Sequence, residues 1–166
     1  MPVRSVLLGL VAVWLALVPT MVSAEPDTVQ VFFSHDPESF NDFTMVFPQA
    51  RTVPGGAGII EQTLAALLAG PTAAEQAAGF FSDFHNLIVP GPSTCKGQDF
   101  TFFVSLGVAT VQLCHQTSSA GIGQDARAQS ELNATLMQFG GITKVIVLGA
   151  TGHCLFDESG LDLCLT

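Results

Sequence analysis

The 166-residue chain contains no tyrosine, and it carries only five lysines and arginines against 14 aspartates and glutamates. The shortage of cations excludes whole classes of function. A formal charge of −9 repels phosphate backbones, so nucleic acid is not an expected partner. An anionic lipid surface is disfavoured for the same reason. Such a charge can steer a basic partner, but by itself it more often serves solubility. After the first two dozen residues no segment is long and apolar enough to span a bilayer. There is no GxSxG nucleophile turn and no P-loop.

What the chain does have begins at its N-terminus. Residues 1–4 are short and hold one positive charge, residues 5–18 are almost purely apolar, and Pro19 breaks the run. Val22-Ser23-Ala24 then places small residues where a signal peptidase reads, and Glu25-Pro26 opens a polar stretch. This is the three-part pattern of a secretory signal. The apolar run is short for a span of about 20 residues, so cleavage after Ala24 is expected, with a retained anchor as the alternative. Residues 25–166 are then one domain of ordinary size, exported to the cell envelope or beyond and without a membrane span.

Cys95, Cys114, Cys154 and Cys164 all lie in that exported part. An even number in an oxidising compartment points to two disulfides, with three possible connectivities. The short-loop pairing is favoured. Cys95 precedes one strand of an expected hairpin and Cys114 ends the other, while Cys154 and Cys164 flank an acidic turn (residues 157–160). Both pairs can thereby approach to Cα separations of about 6 Å.

Hydrophobic periodicity predicts mixed strands and helices. Residues 28–34 (TVQVFFS) read as a strand. Residues 44–53 read as an irregular or edge strand because Pro48 interrupts them. Ile60, Leu64, Leu67 and Leu68 form a helical stripe that Gly70-Pro71 stops. Thr72 can cap a short helix over residues 73–78, and Leu87-Ile88-Val89 suggests a short strand. Residues 100–114 read as a hairpin about Gly107, residues 124–139 as a helix and residues 142–149 as a strand. On the long helix Ala128, Leu132, Leu136 and Phe139 share a core face, and Arg127 and Glu131 sit at i, i+4 on another. The expected fold is α/β of α+β character: a mixed sheet with two main helices packed on it, in a single small domain.

No segment demands a particular chemistry. Residues 121–126 (GIGQDA) match a dinucleotide-binding glycine pattern, but at least six residues separate them from the preceding strand, where that motif needs a direct strand-to-helix turn. Cys114-His115 and His153-Cys154 offer zinc-type ligands without zinc-type spacing. Ser34-His35-Asp36 and Asp83 with His85 hold the residue types of a hydrolase, yet neighbours along a strand point to opposite faces. Catalytic, cofactor and metal residues are therefore assigned to none. Arg51 is kept as a possible partner contact, with a structural ion pair as the stronger reading.

Four places in a fixed order resemble the GerMN domain family of sporulation and spore germination. These are the opening VQVFFS strand with the later FPQARTVP segment (residues 29–34 and 47–54), the helix end LAALLAGPTAAE (64–75), the hairpin VSLGVATVQL (104–113), and the passage ELNATLMQFGGITKVIVLGATG (131–152). The resemblance covers roughly residues 29–152. It implies a non-catalytic interaction or scaffolding module of the envelope, linked in some relatives to spore or cell-wall processes, whose partner is an envelope protein or a wall polymer. A small secreted hydrolase with an unrecognised site is the alternative. This chain holds one copy where some relatives hold two, and its four cysteines are not part of the family pattern. N-terminal sequencing of protein recovered outside the cytoplasm should read from Glu25; a start at Met1 or Pro2 in membrane fractions would instead mean an anchor.

Overall fold

The structure, a computed structural model, describes residues 25–157 and 159–166. The expected signal segment and Glu158 lie outside the described residues. In order, the elements are β1 (Pro26–His35), α1 (Glu38–Asn41), β2 (Phe47–Pro54), α2 (Ile59–Ala69), α3 (Ala73–Ala77), β3 (Phe80–Phe81), α4 (Asp83–Asn86), β4 (Phe100–Ser105), β5 (Val108–Leu113), α5 (Ile122–Met137), β6 (Lys144–Leu148) and a 3-10 turn at Leu163–Leu165. The mixed α and β content of one small domain agrees with expectation. The strands, however, form two sheets of three, β2-β1-β3 and β4-β5-β6, in place of one. The first is antiparallel; in the second β5 pairs antiparallel with β4 and parallel with β6.

The two sheets stay separate because α5 occupies the edge of β1 that another long strand would have used. The backbone N–H groups of Gln30, Phe32 and Ser34 donate to Gln138 Oε1, Thr135 Oγ1 and Glu131 Oε1 at 3.1, 3.0 and 3.2 Å. Gln138 also returns a bond from Nε2 to the Gln30 carbonyl at 2.6 Å. The periods match. Alternate residues of a strand repeat about every 6.6 Å, and steps of three or four residues along a helix advance about 5–6 Å. A polar row at 131, 135 and 138 can therefore meet every second amide of β1. Beside that row, Ala128, Leu132 and Leu136 enter the core with Val31, Phe33, Leu64, Leu67, Val111 and Leu113.

Local chemistry accounts for most other boundaries. Thr72 caps α3 in a full capping box with Glu75. Gly70 ends α2 at φ 77°, and a Cβ there would sit 3.1 Å from the His85 ring, so both conformation and space require glycine. Leu106 and Gly107, at φ 50° and 79°, make the two-residue turn of the hairpin. Cys95 is bonded to Cys114 and Cys154 to Cys164, with Cα separations of 5.4 and 6.0 Å. Two such bonds fit an oxidising compartment. No helix among the described residues is long and apolar enough to cross a membrane.

Two local expectations are corrected. Residues 47–54 are regular, in register with β1 along their whole length. The N–H groups of β1 at 30, 32 and 34 turn away from β2, so 29, 31 and 33 bond to it. Their partners 51, 49 and 47 turn inward, and Pro48 faces the free edge, where it forfeits no ladder bond. Residues 87–89 are not a strand: Ser82 caps the one-turn helix α4 instead, and only Ile88 makes a lone bridge, to Thr117.

Glu131 is the residue on which this arrangement turns. Its fully buried carboxylate accepts five hydrogen bonds: Ser34 N and Oγ on β1, Ser82 Oγ at the cap, and the backbone N–H groups of Asp83 and Phe84. Replacing it by alanine leaves three amides and two hydroxyls without a partner. Glu131→Ala should cost about 3–5 kcal/mol in urea unfolding. A loss under about 1 kcal/mol, within the range of surface changes, would show that the amides find other partners.

Candidate functional site

The residues singled out by sequence are mostly parts of the framework. Ser34 and His35 point apart: Ser34 Oγ lies 2.7 Å from Glu131, whereas His35 Nδ1 lies 2.7 Å from Glu38 and Nε2 2.9 Å from the Ala78 carbonyl. The Glu38 carboxylate raises the His35 pKa, and the same contact lowers that of Glu38. Asp83 is paired with Arg127 at 2.5 Å, not with His85. Burial pushes the Asp83 carboxyl up while the guanidinium pulls it down. Arg127 therefore does not serve the i, i+4 pair with Glu131 that its spacing suggested. It is turned toward α4 and lies 4.7 and 5.2 Å from the Phe40 and Phe43 ring centres. All four cysteines are in disulfides, and no three His, Cys, Asp or Glu side chains converge for a metal among the described residues.

Arg51 is bound bidentately by Glu75, Nη1 to Oε1 at 2.7 Å and Nη2 to Oε2 at 2.6 Å. It lies 5.4 Å from the Phe33 ring centre. Its Nη1 also donates to the carbonyl of Ala50 at 3.0 Å. The pair ties β2 to the cap of α3.

A cleft of about 590 Å³ opens between α2, α4 and the base of the hairpin, a volume suited to a small ligand. Leu68, Ile88 and Phe100 form its apolar part; His85, Asn86, Asp99 and His115 bring the polar groups. The Glu131 bonds hold α4 on one side, and the Cys95–Cys114 bond holds the hairpin base on the other. His115 is engaged at both nitrogens, Nδ1 with the Gly91 carbonyl and Nε2 with Asp99 Oδ1, each at 3.0 Å. His85 Nδ1 lies 2.6 Å from the Leu68 carbonyl, which can only accept. Nδ1 therefore donates, and Nε2 is left as an acceptor. No Ser, Thr or Cys is among the described residues that line the cleft.

The second open feature is a strand edge. Cys114 N donates to the Asp99 carbonyl at 2.9 Å, which sets the hydrogen-bonded pairs of the hairpin. Residues 101, 103 and 105 bond inward to β5, and the backbone groups of Phe100, Phe102 and Val104 face outward, where no described strand meets them. Beside them, Phe103 is 59% exposed and Leu106 wholly so. The corresponding edge of β2 is obstructed. Of its outward positions 48, 50, 52 and 54, two are prolines without an N–H, and the Ala50 carbonyl is taken by Arg51. Searches against protein families, curated proteins and solved structures match nothing to this chain.

The sequence pattern marks the hairpin but not which of its strands lies at an edge, because strand order is invisible in a local pattern. A signal was available in retrospect: residues 100–105 carry neither proline nor charge, unlike 47–54.

The Arg51–Glu75 pair has a pH signature. The guanidinium holds the Glu75 carboxyl down to about 2 from an ordinary 4.5. A carboxyl lowered in the folded state stabilises fully above its unfolded value, and the gain is lost as pH falls from about 4.5 toward 2. Arg51→Met should therefore cost about 1 kcal/mol at neutral pH, and the gap to wild type in chemical denaturation should close toward pH 2. A gap independent of pH would assign the loss to packing on Phe33.

Proposed function

We propose that this chain is an exported module of the cell envelope, of GerMN type, that works by binding and receives a partner's extended segment along β4. The observation that carries the reading is the contrast between the outer edges of β2 and β4. β2 is blunted by Pro48, Pro54 and the Arg51 contact, as folded proteins commonly blunt an exposed edge. β4 keeps all three outward N–H groups and sets Phe103, Val104 and Leu106 beside them. Such an edge supports strand addition, in which main-chain bonds supply affinity and alternate side chains supply selectivity. The family reading rests on the resemblance of four segments, residues 29–34 with 47–54, 64–75, 104–113 and 131–152. Two disulfides suit work outside the cytoplasm.

A second reading, a small secreted hydrolase, draws on one observation, the His115–Asp99 pair beside the cleft. Turnover of an ester, peptide or glycan that His115→Ala removes without unfolding the protein would favour it over binding.

Val104→Pro tests the main reading. Position 104 faces the free edge, so proline removes an outward donor without removing a bond to β5. Capture of the envelope partner should fall at least about tenfold, the loss of one net hydrogen bond or more, while thermal stability changes little. Unchanged capture would place the binding surface elsewhere.

A further inference from the structure

The strand-addition reading leaves the chemistry of the incoming segment open, and the surface around the start of β4 addresses it. A depression of about 520 Å³ lies against this end of the strand, lined by Glu61, Gln98, Asp99, Phe100, Thr101 and Phe102. Glu61 is in the first turn of α2 and exposed, and Asp99 immediately precedes β4 with a side chain 75% exposed. One Asp99 oxygen meets His115; Oδ2 has no partner among the described residues. Neither carboxylate is joined to a lysine or arginine there. Lys96 is in the adjoining turn and makes no ion pair among the described residues. Strand β4 itself carries no charge.

We infer that β4 takes an extended basic segment of a protein partner, one of whose lysine or arginine side chains settles in the depression between Glu61 and Asp99. This rests on the strand-addition reading and adds the partner's chemistry. The argument is charge complementarity beside an open edge. A strand hydrogen-bonded to Phe100, Phe102 and Val104 runs past both carboxylates, and its side chains on one face fall at every second residue. A cation there meets two exposed acidic groups. An acidic segment meets like charge at the same place, on a chain of net charge −9. The neutral strand leaves Phe103 and Val104 to contact apolar residues flanking the cation. A second copy of this chain is less suited: antiparallel pairing of β4 with itself sets Asp99 beside the far end of its own copy's strand, where no cation lies on β4.

The test uses the full oxidised protein and two capped peptides, Thr-Val-Lys-Val-Thr and Thr-Val-Glu-Val-Thr, titrated by nuclear magnetic resonance. The lysine peptide should bind about tenfold more tightly, the worth of one or two partly exposed charge pairs, and should shift the amides of residues 100–105. Glu61→Gln with Asp99→Asn should reduce that preference to under about threefold, as should high salt. Val104→Pro should weaken binding of both peptides at least about tenfold. Equal affinity, or preference for the glutamate peptide, would overturn the basic partner while leaving strand addition intact. Binding that Val104→Pro leaves unchanged, or no binding of either peptide at millimolar concentration, would overturn both. Concentration-dependent dimerisation abolished by Val104→Pro would instead assign the edge to a second copy and overturn the basic segment.

Discussion

The fold depends on a helix doing what a strand ordinarily does. Along one edge of β1, side chains of Glu131, Thr135 and Gln138 accept the amides that a neighbouring strand would accept. Buried backbone donors must be paired, and this row pairs them without extending the sheet. One consequence is topological: the first sheet stops at β1 apart from the two-residue β3, and the second sheet forms independently around β5. Another is energetic. The row ends in a carboxylate with no exposure, whose desolvation raises its pKa while the Ser34 and Ser82 hydroxyls and the Phe84 and Asp83 amides oppose that shift. Removing the carboxylate would leave all five donors without it.

The same carboxylate links framework to surface. It binds the first turn of α4 through Ser82, Asp83 and Phe84, and α4 in turn offers His85 and Asn86 to the cleft. On the far side the Cys95–Cys114 bond anchors the loop before β4, next to Asp99 and His115. The open edge of β4 thus starts from a covalently restrained point. An edge held in this way is ordered in advance, which would reduce the entropy lost if a strand were added to it.

Sequence patterns were informative where they reflect local physics. The apolar stripe of α2, its glycine stop, the Thr72 cap and the hairpin turn each follow from interactions within a few residues. They were less informative where a distant group intervenes. Pro48 read as an interruption because its N–H is missing, but the direction of that missing donor depends on which face of β1 is already engaged by α5. Arg127 and Glu131 read from their spacing as an i, i+4 pair on a face away from the core stripe. Their burial against α4 follows from contacts 44 to 49 residues away.

By itself the sequence determined the balance of strand and helix, the positions of the turns, the acidic character and a cysteine number suited to two disulfides, because each depends on composition or short-range periodicity. Tertiary structure alone decided that there are two sheets, that Arg51 is tied to Glu75, and that the outer edge of β2 is obstructed while no described strand meets that of β4. These are questions of which partner reaches a given donor or acceptor. The partners lie tens to a hundred residues apart, and only the folded chain brings them within hydrogen-bonding distance.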